Sequence, residues 1–179
     1  YSRIAYGLVG KPRRVVLKPG EGFETDMKGT ITADPIPLGP QADPGHNMVV
    51  TRAGIYHELG HELYTDPAIW GQVTAIMDAT GSSPGAGLGP NGRQLLGEVY
   101  NYLEDGRMER QLCGDYSGIE QTMAAAASLF HRWGEKVGDD VADFDQLMGA
   151  TLYTALPFYQ VRPEVRAAMS PRARQLLDE

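Results

Sequence analysis

The chain has 179 residues, of which 42% are hydrophobic, so it is long and apolar enough to bury a core as one domain without cross-links. Its formal net charge of -7 argues against nucleic acid or an anionic membrane surface as the main partner. The single cysteine, Cys113, excludes an intramolecular disulfide and a thiolate zinc cluster, and we expect a buried structural thiol. Because the sequence has no apolar stretch of membrane-spanning length and no signal peptide, we expect a cytoplasmic protein.

The first fifty residues are predicted to be β-rich or irregular. Residues 13–18 and 29–33 are short runs typical of strands. The prolines of residues 34–46 predict an extended loop. Residues 48–50 fit either one more strand or the approach to a helix.

From Thr51 onward the pattern becomes helical, and Thr51 is itself a candidate N-cap. The first helix carries one apolar stripe of residues that recur every four positions: Ile55, Leu59 and Leu63. We expect it to end near Thr65, because Asp66-Pro67 is typical of an N-cap followed by a first helical residue.

Further helices are predicted over residues 67–79, 93–113, 117–138 and 143–156, with a short terminal helix from Ser170-Pro171. Residues 81–92, rich in Gly, Pro and Ser, predict a loop. The resulting plan is α+β, a small N-terminal β-sheet packed on a mainly helical body. Residues 1–179 are predicted to form a single domain. Since the first residue is Tyr1 and not Met, this domain is expected to be a fragment of a longer chain with additional domains.

The first helix contains His57-Glu58-Leu59-Gly60-His61. Histidines four residues apart lie on one side of a helix, one turn apart, and this pair lies on the side opposite Ile55 and Leu59. Two such imidazoles suit a single zinc ion, and Glu58 is placed to take the proton of a zinc-bound water. A coincidental pair is the alternative, but two of only four histidines fall into this pattern.

A catalytic zinc ion normally has three protein ligands. The pattern with a third ligand ten residues after the first histidine is excluded, because Pro67 stands there. We favour Glu104 as the third ligand, on the polar side of the helix over residues 93–113, with Asp105 and Glu98 as alternatives. Asp105 could instead hydrogen-bond a ligand histidine. The structural alternative is a solvated helical face with a Glu104–Arg107 pair.

Three other residues receive weaker predictions. His46 and His131 could approach the metal, but neither has a supporting spacing. Glu62, which follows the motif on the same helix, is expected to be a solvent-exposed acid and not a ligand.

These residues make the chain resemble the zincin metallopeptidases, and among them the gluzincins, which combine His-Glu-x-x-His with a downstream glutamate. The resemblance implies zinc ligands at His57, His61 and Glu104 and a general base at Glu58. One departure is Met108, because gluzincins place an aspartate four residues after the ligand glutamate. The chain is also similar to uncharacterised phage and bacterial zincin-like domains, some joined to von Willebrand A-type modules, whose Leu-Glu-Asp-x-Arg signature matches residues 103–107.

The resemblance implies hydrolysis of peptide bonds in a peptide or protein substrate. Zincins offer the substrate a strand edge above the metal, which residues 29–33 or 13–18 could supply. A non-proteolytic zinc-binding interaction module within a larger assembly, and a self-processing protease, are the alternatives. Candidates for a donor to the developing oxyanion are His131, Tyr153, Tyr159 and Arg162.

Overall fold

The structure is a computed structural model that describes residues 2–82, 92–134 and 163–178. Within these ranges three strands and seven helices follow one another along the chain: α1 (Ser2–Val9), β1 (Arg14–Leu17), β2 (Phe23–Thr25), β3 (Thr30–Ala33), α2 (Pro44–Tyr64), α3 (Pro67–Ser82), α4 (Gly92–Asp115), α5 (Ser117–Gly134), α6 (Pro163–Ala168) and α7 (Pro171–Asp178). The predicted α+β class, mainly helical with a small N-terminal sheet, is confirmed.

The sheet has the strand order β1-β3-β2, with β3 parallel to β1 and antiparallel to β2. The strands predicted at residues 13–18 and 29–33 are confirmed as β1 and β3, whereas β2 was not predicted. The tight turn into β3 is held by the Asp26 carboxylate, which accepts the backbone N–H groups of Lys28 and Thr30. This turn holds β2 at one edge of the described sheet.

Helix α2 begins seven residues earlier than the predicted N-cap. Asp43 is the N-cap, because its carboxylate accepts two backbone N–H groups of the first turn, and Pro44 occupies the first helical position. The prediction of Thr51 as the N-cap is wrong: this residue is buried in mid-helix and its hydroxyl donates to the carbonyl oxygen of Asp34. Residues 44–46, predicted as loop, and residues 48–50 are helical.

Helix α2 is buried on two sides. One side packs on the sheet and on α1 through a cluster of apolar side chains: Ala5, Ile31, Ala33, Ile55 and Leu59. The other side packs on α4 and α5 through a second cluster that includes Val50, Ala53, Met108, Leu112, Ile119 and Met123. Because both sides are packed, the histidine motif lies on the most firmly held element of the described fold.

Two glycines of α2 allow close approach of its neighbours. A Cβ atom on Gly60 would lie 2.0 Å from the Met108 sulfur of α4. A Cβ atom on Gly54 would lie 2.3 Å from the Phe23 ring of β2. Both distances are far below van der Waals contact, so these glycines let α4 and β2 approach α2 on either side of the motif.

The other predicted helices are reproduced with small shifts where the structure describes them. Helix α3 begins at Pro67 after the Asp66 cap, and α5 and α7 begin at Ser117 and Pro171 as expected. The predicted helix at residues 143–156, the extension of α5 to residue 138, and loop residues 83–91 lie outside the described residues. None of the helices in the described part of the chain combines the length and apolar character needed to cross a membrane.

Candidate metal centre

The two motif histidines point the same ring nitrogen at one another. His57 and His61 are one turn apart on α2, and their Nε2 atoms are separated by 3.2 Å. The ring planes are nearly perpendicular, at 81°, with centroids 4.8 Å apart. Two nitrogens that converge edge to edge in this way leave a common point to which both can direct a lone pair.

Asp105 of α4 completes a group of three donors around that point. Its Oδ1 lies 3.2 Å from Nε2 of His61 and 3.6 Å from Nε2 of His57. Its Oδ2 is occupied by the Asn101 side-chain amide, which donates over 3.1 Å. The Asp105 side chain is only 13% exposed, and its Oδ1 atom is buried but makes no hydrogen bond. A buried carboxylate oxygen without a partner is costly unless something else satisfies it.

The three donor atoms have the spacing of a metal site. Ligand atoms about 2.0–2.1 Å from a tetrahedral zinc ion are roughly 3.3–3.4 Å apart, and the observed separations are 3.2, 3.2 and 3.6 Å. His57, His61 and Asp105 could therefore hold a metal ion. Three protein donors would leave one tetrahedral position open for a water molecule or a substrate.

The outer nitrogen of His57 is held by a buried acid. Its Nδ1 lies 2.6 Å from Oε1 of Glu109, one turn beyond Asp105 on α4. Burial alone would lower the pKa of His57, but the hydrogen bond to Glu109 and the charges of Glu109, Asp105 and Glu58 outweigh it and raise the pKa to about 9. The negative potential that favours a protonated ring also favours a metal cation at this place.

The outer nitrogen of His61 is held by a relay of side chains. Its Nδ1 lies 2.9 Å from the Thr65 hydroxyl, which in turn donates to Oε1 of Glu104 over 2.6 Å. A hydroxyl has one proton, so Thr65 must accept from Nδ1–H of His61 while it donates to Glu104. This arrangement selects the tautomer of His61 that leaves Nε2 free for a metal ion.

Glu104 therefore lies outside the donor group, although the sequence predicts it as the third ligand. Both of its oxygens are taken by Arg107, whose guanidinium donates over 2.6 and 2.7 Å, and one also accepts from Thr65. The ion pair with Arg107 lowers the pKa of Glu104 below its ordinary value, against the effect of burial. Asp105, one of the two alternatives, occupies the position that was predicted for Glu104.

Two other candidate ligands, Glu98 and His46, are not brought to the group. Glu98 is exposed on α4. His46 is exposed in the first turn of α2, roughly 16 Å along the helix axis from His57. The side chain of His131, together with Tyr153, Tyr159 and Arg162, lies outside the described residues.

Glu58 lies beside the donor group in the wall of a cleft. Burial raises the pKa of its carboxyl above the ordinary value, the neighbouring histidines oppose this shift, and the charges of Asp105 and Glu24 add to it. A carboxylate with a raised pKa is a better proton acceptor near neutral pH than a solvated one.

The cleft has a volume of about 500 Å³ and is open to solvent. Besides the motif residues, its walls come from β2 and the following turn, from α3 and from α4: Phe23, Glu24, Thr25, Met27, Thr65, Pro67, Trp70, Tyr100, Asn101 and Glu104. Of the two strands proposed to offer an edge to substrate, residues 29–33 form the central strand β3, which is paired on both sides and has no free edge. The strand that lines the cleft is β2.

Glu62 fastens β2 to the motif helix. The expectation of a solvent-exposed acid is wrong, because the Glu62 side chain is only 2% exposed. It forms an ion pair with Arg13 and accepts a hydrogen bond from the Thr25 hydroxyl over 3.0 Å. The residue directly after His61 thus connects the strand that lines the cleft with the helix that bears the histidines.

No family model matches the chain, and neither a curated protein nor a solved structure matches it.

Proposed function

We propose that the chain is a zinc-dependent metallopeptidase with a zincin-like fold, which hydrolyses peptide bonds in a protein substrate. The observation that carries this proposal is the convergence of two imidazole Nε2 atoms and an Asp105 oxygen that makes no hydrogen bond, beside the buried carboxyl of Glu58. Both histidines and Glu58 line an open cleft.

The proposed zinc ligands are His57, His61 and Asp105. Structural zinc sites are closed by four protein ligands, whereas catalytic sites have three and one open position. Taking Asp105 as the ligand also accounts for the departure from the gluzincin pattern. The acid four residues later is then Glu109, which holds His57, so an Asp–Glu pair replaces the usual Glu–Asp pair one position further along.

A bound zinc ion would supply Lewis-acid chemistry, since it polarises a carbonyl oxygen and lowers the pKa of a water molecule. Glu58 acts as the general base that takes the proton of the attacking water and delivers it to the leaving amine nitrogen. Its burial supports this role because a carboxyl with a raised pKa can both accept and return a proton. Glu109 and the Thr65–Glu104 pair keep the two imidazoles oriented throughout.

The substrate is proposed to lie in the cleft beside β2. This strand is at the edge of the described sheet, and it is fastened to α2 through Phe23 on Gly54 and through Thr25 on Glu62. A firmly held strand edge can pair with an extended peptide through backbone hydrogen bonds.

Two histidines and one carboxylate also suit ferrous iron in an octahedral site. The proton acceptor Glu58 beside the site favours zinc-dependent hydrolysis over iron chemistry.

Substitution of Glu58 by Gln tests the mechanism. We expect Glu58→Gln to bind zinc as the wild type does but to lose hydrolysis of unfolded β-casein, because the amide cannot take a proton. The matched control is Glu120→Gln, an exposed acid on α5 that should leave both properties unchanged. Turnover by Glu58→Gln at the wild-type rate would refute the mechanism.

The same assay separates the two alternatives. Zinc bound by the wild type without any chelator-sensitive cleavage of casein would indicate a non-proteolytic interaction module. Cleavage confined to the chain itself would indicate self-processing.

A further inference from the structure

A second hollow, lined by residues of α3 and α4, adjoins the cleft that His57, Glu58 and His61 line, which we call the metal cleft. It has a volume of about 400 Å³, and its lining residues are Trp70, Gly97, Glu98, Asn101 and Tyr102. Trp70 and Asn101 line both this hollow and the metal cleft. The two spaces are therefore neighbours around one indole ring, and a single elongated molecule can reach from one into the other.

Trp70 is held in place without being covered. Its ring packs on Tyr100 with centroids 5.3 Å apart and an interplanar angle of 49°, yet the residue remains 46% exposed. An aromatic side chain that its neighbour orients but does not bury offers a rigid apolar surface to a ligand.

The separation of the hollow from the donor group along the helix axis follows from the positions of their residues on α4. Asn101 and Gly97 precede Asp105 by four and eight residues, which corresponds to about 6 and 12 Å along the helix axis. An extended polypeptide advances about 3.3 Å per residue. A chain whose scissile bond lies at the donor group would thus reach the hollow with roughly its third or fourth residue from that bond.

We propose that this hollow is a substrate subsite that takes a large apolar or aromatic side chain, three or four residues from the bond that is cleaved. This subsite proposal rests on the proposed function. The substrate is then a stretch of extended polypeptide, since a di- or tripeptide cannot span from the donor group past Trp70. Trp70 and Tyr102 form the aromatic walls of the subsite and are specificity-determining residues.

The probes are peptide hydroxamates, whose chelating group anchors at the metal while a tail of one to five residues extends along the cleft. One series carries the tail on the N-terminal side of the chelator and a second on the C-terminal side, each with phenylalanine as its last residue. Affinity for the zinc-loaded protein is measured by calorimetry, which requires no catalytic turnover.

We expect the affinity in one series to rise by about tenfold when the tail reaches three or four residues, because the terminal ring then packs on Trp70. The indole N–H signal of Trp70 should shift with the long tails and not with the one-residue tail. In Trp70→Ala and in Tyr102→Ala the gain should be lost. In Tyr102→Ala, whose side chain lines the hollow but not the cleft beside the histidines, the shortest hydroxamate should bind as before. Ile69→Ala, an exposed neighbour outside both linings, is the control and should keep the gain.

A flat dependence on tail length in both series, with normal binding of the shortest hydroxamate, would overturn the subsite and leave the metallopeptidase proposal intact. A gain that persists in both Trp70→Ala and Tyr102→Ala would also overturn it. Failure of the protein to bind zinc would instead refute the proposed function on which the subsite rests.

Discussion

Replacement of Gly60 by Ala should separate α4 from the motif helix. The added Cβ would lie 2.0 Å from the Met108 sulfur and 3.2 Å from two other atoms of that side chain. Met108 is 0% exposed, so its sulfur cannot swing into solvent. Met108 is packed on all sides, so we expect a change of its rotamer to relieve only part of the contact and α4 to retreat by up to about 2 Å for the rest, because apolar atoms in contact are roughly 4 Å apart. Asp105 lies one turn from Met108 and would retreat with it.

Two effects of opposite sign determine the magnitude. Ala is favoured over Gly in a helix interior by about 1 kcal/mol. Overpacking of a buried contact costs about 1–3 kcal/mol, and an overlap this severe belongs near the upper limit. We therefore expect Gly60→Ala to lower the free energy of unfolding by about 1–2 kcal/mol and to weaken zinc binding by at least about tenfold, since the proposed ligand Asp105 is displaced.

Urea unfolding and competition with a chelating dye measure the two quantities. The matched control is Gly71→Ala on α3, where a Cβ meets nothing within 4 Å. This variant should be stabilised by up to about 1 kcal/mol through helix propensity alone, with zinc affinity unchanged. Adding Met108→Ala to Gly60→Ala removes the clashing atoms, so the double variant should be more stable than the sum of the single changes predicts. A Gly60→Ala protein as stable as Gly71→Ala, with wild-type zinc affinity, would refute the reasoning.

Two further predictions concern other parts of the site and its core. Thr65→Val should weaken zinc binding by about 10–100-fold, because Nδ1 of His61 loses its hydrogen-bond acceptor, whereas Thr65→Ser should bind zinc normally. Equal zinc affinities of the two variants in a chelator competition would contradict the proposed relay. Burial raises the pKa of the Cys113 thiol to about 12. At pH 8 its thiolate fraction is therefore roughly a thousandth of that of a thiol with an ordinary pKa. We expect Cys113 to react with Ellman's reagent correspondingly slowly until urea unfolds the chain. Rapid modification of the native protein would show that Cys113 is not in the buried position described.

The motif helix shows what the sequence can and cannot predict. Ile55 and Leu59 are fully buried as their spacing indicates, and the histidines lie on the opposite side. The sequence hides the start of the helix, because the closely spaced prolines of residues 34–46 predict an extended loop up to residue 46. Asp43-Pro44 is the same cap and first-position signal that correctly marked the next helix at Asp66-Pro67.

The sequence favours Glu104 over Asp105 because the spacing of the apolar residues does not reveal which face of α4 is buried. Leu103, a large apolar residue, is 60% exposed, whereas Met108 is fully buried. The inward face includes Asp105, Met108, Glu109 and Leu112, at helical spacings of three and four. Two of its four members are acids, and acids are normally counted as solvent-facing. They lie inside because they face the histidines.

The choice between Glu104 and Asp105 also depends on a property that the sequence does not give. A sequence indicates that an acid is available near a motif. Adjacent acids point about 100° apart around a helix, so the choice between them depends on how the helix is rotated about its own axis. That rotation is set here by the contact of Met108 with Gly60 and by two hydrogen bonds to the end of α2, from Arg107 to the Tyr64 carbonyl oxygen and from the Thr65 hydroxyl to Glu104. The acid spacing of Asp105 and Glu109, four residues apart, was the signal in the sequence that could have located the inward face.

The coordination sphere of the zinc-loaded protein tests the central claim most directly. Crystals measured at the zinc absorption edge should show one zinc ion per chain, bound by Nε2 of His57, Nε2 of His61 and a carboxylate oxygen of Asp105, with a fourth position taken by solvent. A zinc ion held by Glu104 in place of Asp105, or one bound away from the two histidines, would contradict this account.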